Sequence, residues 1–415
     1  MGLVERHVAA AAAEMLAHFP CLVIEGARQV GKSTLSTALA RPGAVVRTLD
    51  DQQMRAAAEA DPAGFLDVGD RQLVIDEIQR LPALTLAVKA AIDADRRPGR
   101  FILTGSSSLL RVRGVADSLA GRAARLPLYG LSQGECRGLP DDFAGAVVDD
   151  GPSLAALSTE LARADYAQLL AVGAYPEMRT LPEQMRGIWI DGYLQGIIRR
   201  DLVELRREVR PGRSLALLRA LAGRQSAELV KAKLAQDTAV PPNTITGYLD
   251  LLHDVWLVAS LPPWTPNLAK REIGRPKTMV VDSALAMWLA RITPAQLAEL
   301  EYGEALGAVL EAFVAAELLR QRTWSRQRFD LFHYRDRDGV EVDLVLEFGD
   351  GRIIAIEVKS AASFSSKQFA GLSRLRERLG DRFVAGIVLN TGQAGYRYAE
   401  RLYGAPISAL WEFGG

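Results

Sequence analysis

Over the first 130 residues, short apolar runs alternate with longer segments of mixed polarity. Strands are predicted at 21–25, 44–49, 72–76, 100–104 and 123–128, with helical segments between them. That alternation belongs to a parallel α/β sheet. Ahead of the first strand, residues 8–19 are alanine-rich and read as a helix packed against it. Glu14 and His18 interrupt this segment, and it is too short to span a bilayer. Past residue 130 the alternation stops. Residues 131–212 read as a helical lid, broken at Gly138-Leu139-Pro140 and at Asp149-Asp150-Gly151-Pro152, with helices over 160–172 and 183–208. Residues 213–275 read as a winged helix, with helices at 214–222 and 226–236, a third starting at Asn243 as its cap, and a strand at 256–261. Residues 276–415 return to a mixed α/β pattern.

The first predicted strand runs into Gly26-Ala27-Arg28-Gln29-Val30-Gly31-Lys32-Ser33-Thr34, and a helical pattern follows. Strand, glycine-rich loop and helix in this order fit G-x-x-x-x-G-K-[ST], the phosphate-binding P-loop. Gly26 and Gly31 are expected where a Cβ would forbid the backbone angles. The loop amides and the helix N-terminus then face an anion. Lys32 is expected to reach the β- and γ-phosphates of ATP, and Ser33 to ligate Mg²⁺.

A second motif agrees with the first. Leu73-Val74-Ile75-Asp76-Glu77 is an apolar strand ending in two carboxylates. Asp76 would hold Mg²⁺, and Glu77 would polarise the attacking water. The next strand runs into Thr104-Gly105-Ser106-Ser107-Ser108, which makes Thr104 or Ser106 the candidate sensor of the γ-phosphate. Asp117-Ser118-Leu119-Ala120-Gly121-Arg122 follows, with Arg125 nearby. Arg122 is placed to act as an arginine finger on a neighbouring subunit, a device worth about 10³–10⁵ in rate. That reading requires an oligomer; the alternative is a surface arginine.

A second candidate site lies near the C-terminus. Two apolar strands flank Gly349-Asp350-Gly351, a hairpin signal. Centred on Asp350, the hairpin sets Asp343 opposite Glu357 and Glu341 opposite Lys359. Like charges directly opposite each other destabilise a sheet, and a divalent cation would relieve them. Oxygen ligands on strands suit Mg²⁺ or Mn²⁺. Glu311, on a helical segment upstream, is a possible extra ligand, and Lys359 would orient or deprotonate a water. The competing reading is a solvated hairpin face with an ordinary Glu–Lys pair.

Composition narrows the partners. Lys+Arg and Asp+Glu balance at 50 each, so any contact with nucleic acid must come from local patches. One patch is Arg199, Arg200, Arg206, Arg207, Arg210 and Arg213, although Asp201, Glu204 and Glu208 also allow a helix laced with ion pairs. The third helix of the winged-helix segment, whose Asn243, Thr244 and Thr246 would face a DNA groove, carries no Arg or Lys. Packing between domains is therefore open to it as well. Two distant cysteines, Cys21 and Cys136, and four histidines argue against a disulfide framework or a zinc site. A cytoplasmic protein with no membrane partner is the expectation.

These residues resemble the AAA+ P-loop ATPases. The resemblance rests on residues 26–34, on Asp76-Glu77-Ile78-Gln79, on Leu103-Thr104-Gly105-Ser106-Ser107 and on Ser118-Leu119-Ala120-Gly121-Arg122. Ala174-Tyr175-Pro176-Glu177, Arg200-Asp201 and Val281-Asp282-Ser283 extend it to a prokaryotic ATPase family with a winged helix and a PD-(D/E)xK nuclease-like domain. It departs from that pattern at Ser33, which replaces the common Thr, and at Glu341, which competes with Asp343 as a ligand. The resemblance implies an AAA+ core over 1–130, a lid over 131–212, a winged helix over 213–275 and a restriction-endonuclease-like domain over 276–415. It further implies ATP hydrolysis with Mg²⁺, a homo-oligomer such as a hexameric ring, and a DNA partner, branched DNA such as a Holliday junction included. A different class stays open: an ATP-driven regulatory switch that binds a protein, with a silent nuclease-like domain.

Overall fold

The computed structural model describes residues 4–107, 119–206, 208–267, 271, 274–336 and 338–414. Ser108, Asp117, Ser118 and Arg207 of the motifs above lie outside them. The chain divides into two units, Gly2–Leu131 with Asp254–Trp256, and Ser132–His253 with Leu257–Gly415.

In the N-terminal unit, β1 (Cys21–Glu25), β2 (Val45–Thr48), β3 (Leu73–Asp76), β4 (Phe101–Gly105) and β5 (Ala123–Pro127) form one sheet in the order β2-β3-β4-β1-β5. Every pairing in it is parallel. The central strands β1 and β4 are buried along their whole length, as a sheet covered on both faces requires. Each buried Leu, Ile or Phe there is worth about 1.5–3 kcal/mol. Helix α1 (Val8–His18) buries Val8, Ala12 and Leu16, one face of a helix at a four-residue spacing. Helix α2 (Lys32–Leu39) follows the P-loop, and α3 (Leu84–Ala94) buries Leu84, Val88 and Ile92.

The second unit opens with helices. Helix α4 (Arg163–Val172) ends before Gly173, and α5 (Glu183–Gly196) is next. The single helix expected over 183–208 is not formed. The chain passes through a π-helical turn at Ile197–Asp201, resumes as an α-helix over Leu202–Leu205, and turns extended at Arg206. Ile197 and Ile198 are adjacent and both buried.

Helices α6 (Pro211–Ala222), α7 (Lys231–Thr238) and α8 (Pro242–Asp254) are interleaved with β6 (Ala227–Glu228), β7 (Val258–Leu261) and β8 (Lys277–Val280). The three strands form an antiparallel sheet in the order β6-β8-β7. The helix expected over 226–236 therefore starts later, because Ala227 and Glu228 pair with Thr278 and Lys277. Helix α8 begins with Pro242, whose fixed φ suits a first helical position, so Asn243 lies inside the helix instead of capping it. Its buried face holds Ile245, Leu249 and Leu252, together with Tyr248 and Leu251.

Downstream come α9 (Ser283–Ala290), the largely buried α10 (Gly303–Gln321), and a six-stranded sheet. Its strands are β9 (Phe329–Arg335), β10 (Glu341–Phe348), β11 (Ile353–Lys359), β12 (Phe383–Asn390), β13 (Tyr396–Ala399) and β14 (Leu402–Pro406), in the order β13-β14-β12-β11-β10-β9. β9, β10 and β11 form an antiparallel meander. Helix α11 (Ala370–Leu379) then allows β12 to run parallel to β11. Among the described residues, no helix is long and apolar enough to cross a membrane.

Candidate functional site

The P-loop leaves the C-terminal end of β1. Gly31 takes φ +98°, a left-handed conformation that favours glycine. Gly26 is a different case from the one expected, since its φ is not positive. A Cβ there would collide with the backbone carbonyl of Leu128, so closeness requires the glycine. Lys32 is 4% exposed and opens α2. Its ammonium donates to the carbonyls of Gly26 (3.1 Å) and Ala27 (2.7 Å), within the loop it is expected to fill with phosphate. Arg6, absent from the sequence reading, clamps the loop from outside through the carbonyls of Val30 (2.8 Å) and Tyr129 (2.9 Å). Arg125 forms an ion pair with the buried Glu25 at the end of β1.

Strand order explains how the two motifs meet. β4 lies between β1 and β3, so Thr104 on β4 can bridge them. Its hydroxyl donates to Asp76 Oδ1 and accepts the Glu77 N–H (3.2 Å). Ser33 Oγ lies 3.0 Å from both Asp76 oxygens. Glu77 sits at φ 58°, ψ 45°, a left-handed turn uncommon for a residue with a Cβ. That turn ends β3 and lets the Glu77 carboxylate accept from Ser106 Oγ (3.1 Å) and from the Gln79 amide. Gln79 also donates to Ser106 Oγ (2.8 Å). The structure thus brings Lys32, Ser33, Asp76, Glu77, Thr104 and Ser106 to one edge of the sheet and adds Gln79. The Asp76 carboxylate is met by the Ser33 and Thr104 hydroxyls, with no lysine or arginine bonded to it among the described residues. A carboxylate and a hydroxyl so placed fit Mg²⁺.

Arg122 lies elsewhere. It precedes β5, whose first residue pairs with the first residue of β1, so it sits at the sheet edge opposite the P-loop. Its guanidinium holds Asp93 at the end of α3 (2.6 and 2.9 Å).

The second site is a carboxylate–lysine cluster. β10 pairs with β11 in the register Leu344–Ile356, and continuing it sets Asp343 opposite Glu357. Both carboxylates are more than nine-tenths buried. Asp343 Oδ2 accepts from the Val358 N–H (2.9 Å), and Lys359 Nζ reaches Glu357 (2.6 Å) and Asp343 (3.5 Å). Continued further, the same register sets Glu341 opposite Lys359, but the Glu341 carboxylate makes its ion pair with Lys277 (3.1 Å). Lys277 also meets Glu311 (2.8 Å) and Asp343 (3.5 Å).

Burial and then the Asp343 charge push Glu311 up to about 8. Burial and the same neighbour push Glu357 up. Asp343 is pushed up by burial, but Lys277, Lys359 and the Val358 N–H outweigh it and hold the carboxyl below its usual range. Burial disfavours the Lys277 ammonium, yet Glu311 and Asp343 overcome this and keep it charged. The oxygen donors suit a divalent cation in type. Even so, the space between Glu311, Glu341 and Asp343 holds an ammonium. Among the described residues, no group of three or more His, Cys, Asp or Glu is arranged to hold a metal ion. Lys277 lies upstream of the hairpin, and neither its own run nor the nearby Val281-Asp282-Ser283 links it to the acidic residues, so no sequence signal pointed to it.

Comparison with known proteins follows this division. Residues 18–137 match an AAA domain family, so the N-terminal unit has the fold of a P-loop ATPase. Residues 163–296 and 306–410 match two domains of unknown function, DUF8612 and DUF4143. The uncharacterized proteins Rv2008c of Mycobacterium tuberculosis and Mb2031c of Mycobacterium bovis are each 30% identical over 363 residues, which cover 87% of this chain and 75% of theirs. The chain belongs to the family of these mycobacterial proteins. Among solved structures, the Walker-type ATPase PABY2304 of Pyrococcus abyssi superposes with a TM-score of 0.42 at 17% identity, covering 70% of this chain and 96% of that one. AMPPCP-bound DnaA of Aquifex aeolicus gives 0.29 at 14% identity, covering 59% and 86%. Likeness of this degree carries no assignment.

Proposed function

We propose that this chain hydrolyses ATP with Mg²⁺ at the Lys32–Asp76–Glu77 edge and spends that energy on DNA held by its C-terminal region. The observation that carries the ATPase reading is the continuous hydrogen-bond path Ser33–Asp76–Thr104–Glu77–Ser106. Lys32 exchanges its two loop carbonyls for phosphate oxygens when the nucleotide enters. Ser33 and Asp76 hold the metal ion, which neutralises phosphate charge. Glu77, oriented by Ser106 and Gln79, takes the proton of the attacking water. Thr104 touches both carboxylate residues and so relays a change at one to the other. Arg122, at the opposite edge of the sheet, cannot serve its own nucleotide, so a role as an arginine finger requires a neighbouring subunit of a homo-oligomeric ring. The Asp93 pair must open for this.

The DNA reading has its own support. Helix, strand, helix, helix and two paired strands over residues 211–280 follow the order of a winged helix. Helix α10, the meander β9–β11, α11 and β12 follow the order of a PD-(D/E)xK nuclease core, with Glu311, Asp343, Glu357 and Lys359 at its acidic site. We accordingly divide the chain into an ATPase core (1–130), a lid (131–212), a winged helix from 213 and a nuclease-like domain to 415, with the boundary expected at 275 moved past 280 because β8 pairs with β6 and β7. The free thiols of Cys21 and Cys136 support a cytoplasmic setting. In the regulatory-switch alternative, the same ATPase would act on a protein partner.

Lys32→Ala is expected to abolish ATP binding. Glu77→Gln is expected to retain binding while turnover falls about 10²–10⁴-fold. Unchanged hydrolysis in Glu77→Gln would refute the site. Stimulation of hydrolysis by branched or linear DNA, with affinity falling steeply as salt rises, separates the DNA reading from a protein switch.

A further inference from the structure

We propose that Lys277 is a built-in cation whose ammonium holds the space between Glu311, Glu341 and Asp343 that a divalent metal would otherwise occupy. The acidic site then stays metal-free while this lysine is in place. The inference rests on reading Glu311, Asp343, Glu357 and Lys359 as a nuclease-like site.

Three observations carry it. The first is geometric. Lys277 Nζ stands 2.8, 3.1 and 3.5 Å from three carboxylates that converge on it from α10 and β10. A divalent ion bound by the same oxygens would need them at about 2.0–2.6 Å, in space now filled by the ammonium. Two cations cannot share that position.

The second is burial. Lys277 is 4% exposed, and an ammonium is tolerated in such surroundings only when it is paired. Its pairing is with the acidic cluster, so its place is set by the charge of that cluster.

The third is origin. The carboxylates belong to α10 and to the six-stranded sheet, whereas Lys277 begins β8 in the three-stranded sheet, which is joined to β9 by hydrogen bonds of His333 with Pro262 and Trp264. Lys359, the other lysine, sits on β11 itself, with its side chain 34% exposed. Lys277 thus enters the acidic site, buried, from an element outside the sheet that carries the carboxylates.

The test is Mn²⁺ binding to the nucleotide-free full chain, followed by paramagnetic resonance of free Mn²⁺. Wild type and the charge-preserving Lys277→Arg should show no site that depends on Asp343. Lys277→Gln should gain one that binds at least about tenfold tighter than any wild-type site and vanishes in Lys277→Gln/Asp343→Asn. If Lys277→Gln is poorly folded, Mn²⁺ should raise its melting temperature and leave that of wild type unmoved. An Asp343-dependent Mn²⁺ site already present in wild type overturns the inference. So does a Lys277→Gln chain that neither gains a site nor is stabilised by Mn²⁺. DNA cleavage is a separate readout: Lys277→Gln that binds Mn²⁺ and cuts no DNA ends the nuclease reading and leaves the counter-ion intact.

Discussion

Asp76 and Asp343 both stand among polar groups at the edge of a buried apolar strand, yet their surroundings make them different chemical objects. Asp76 is met by two hydroxyls, Ser33 and Thr104. Asp343 is met by two ammonium groups, Lys277 and Lys359. Neutral partners leave the first carboxylate with its charge available to an incoming cation. Charged partners have already used the charge of the second. The same residue type on the same kind of element is thus open to a metal in one unit and internally neutralised in the other.

Asparagine at each position breaks this comparison most sharply. Asp76→Asn should cost about 10²–10³ in ATP turnover while leaving the melting temperature nearly unchanged, because its hydroxyl partners tolerate an amide. Asp343→Asn should leave ATP turnover alone but cost about 3–5 kcal/mol of stability, since it strips a buried charge from two lysines. Equal melting temperatures for the two variants would remove the distinction.

A smaller effect concerns pH. The Glu311 carboxyl lies near 8 in the folded chain, against an ordinary value of 4.5. The folded state therefore holds a proton that the unfolded state releases, and stability falls as pH rises from about 4.5 to about 8. Glu311→Gln should flatten that part of a melting-temperature profile. An unchanged slope would show that this carboxyl does not titrate in the window. The smallest effect is expected at Arg6. Losing its clamp on Val30 and Tyr129 should weaken ATP binding by about 1–3 kcal/mol without changing the turnover of bound ATP. A fall in turnover at saturating ATP would mean that Arg6 does more than hold the loop.

How much of this was legible in the sequence differs between the two units. The five strands of the N-terminal sheet stand within a residue of their predicted bounds; for the central β1, β3 and β4 this is because a strand buried on both faces must be apolar throughout. The P-loop and the Asp76-Glu77 pair could be read because each is a local run whose chemistry needs fixed spacing. Gly26 was rightly singled out for the wrong reason, since its contact with Leu128 is between distant parts of the chain. The single helix expected over 183–208 is not found because hydrophobic periodicity does not distinguish a short π-helical turn from a regular one. β6 was missed because two residues carry no pattern, and only pairing with β8 makes them a strand.

The sequence alone determined which residues can do chemistry and, at the β10–β11 hairpin, which of them face each other. Those facts follow from local spacing and from the two-residue period of a strand. Only the tertiary structure decided what each charge meets. Lys277 reaches Asp343 across 66 residues, and Arg6 reaches Tyr129 across 123. Pair energies fall with distance in space and are blind to distance along the chain, so no run of letters records them.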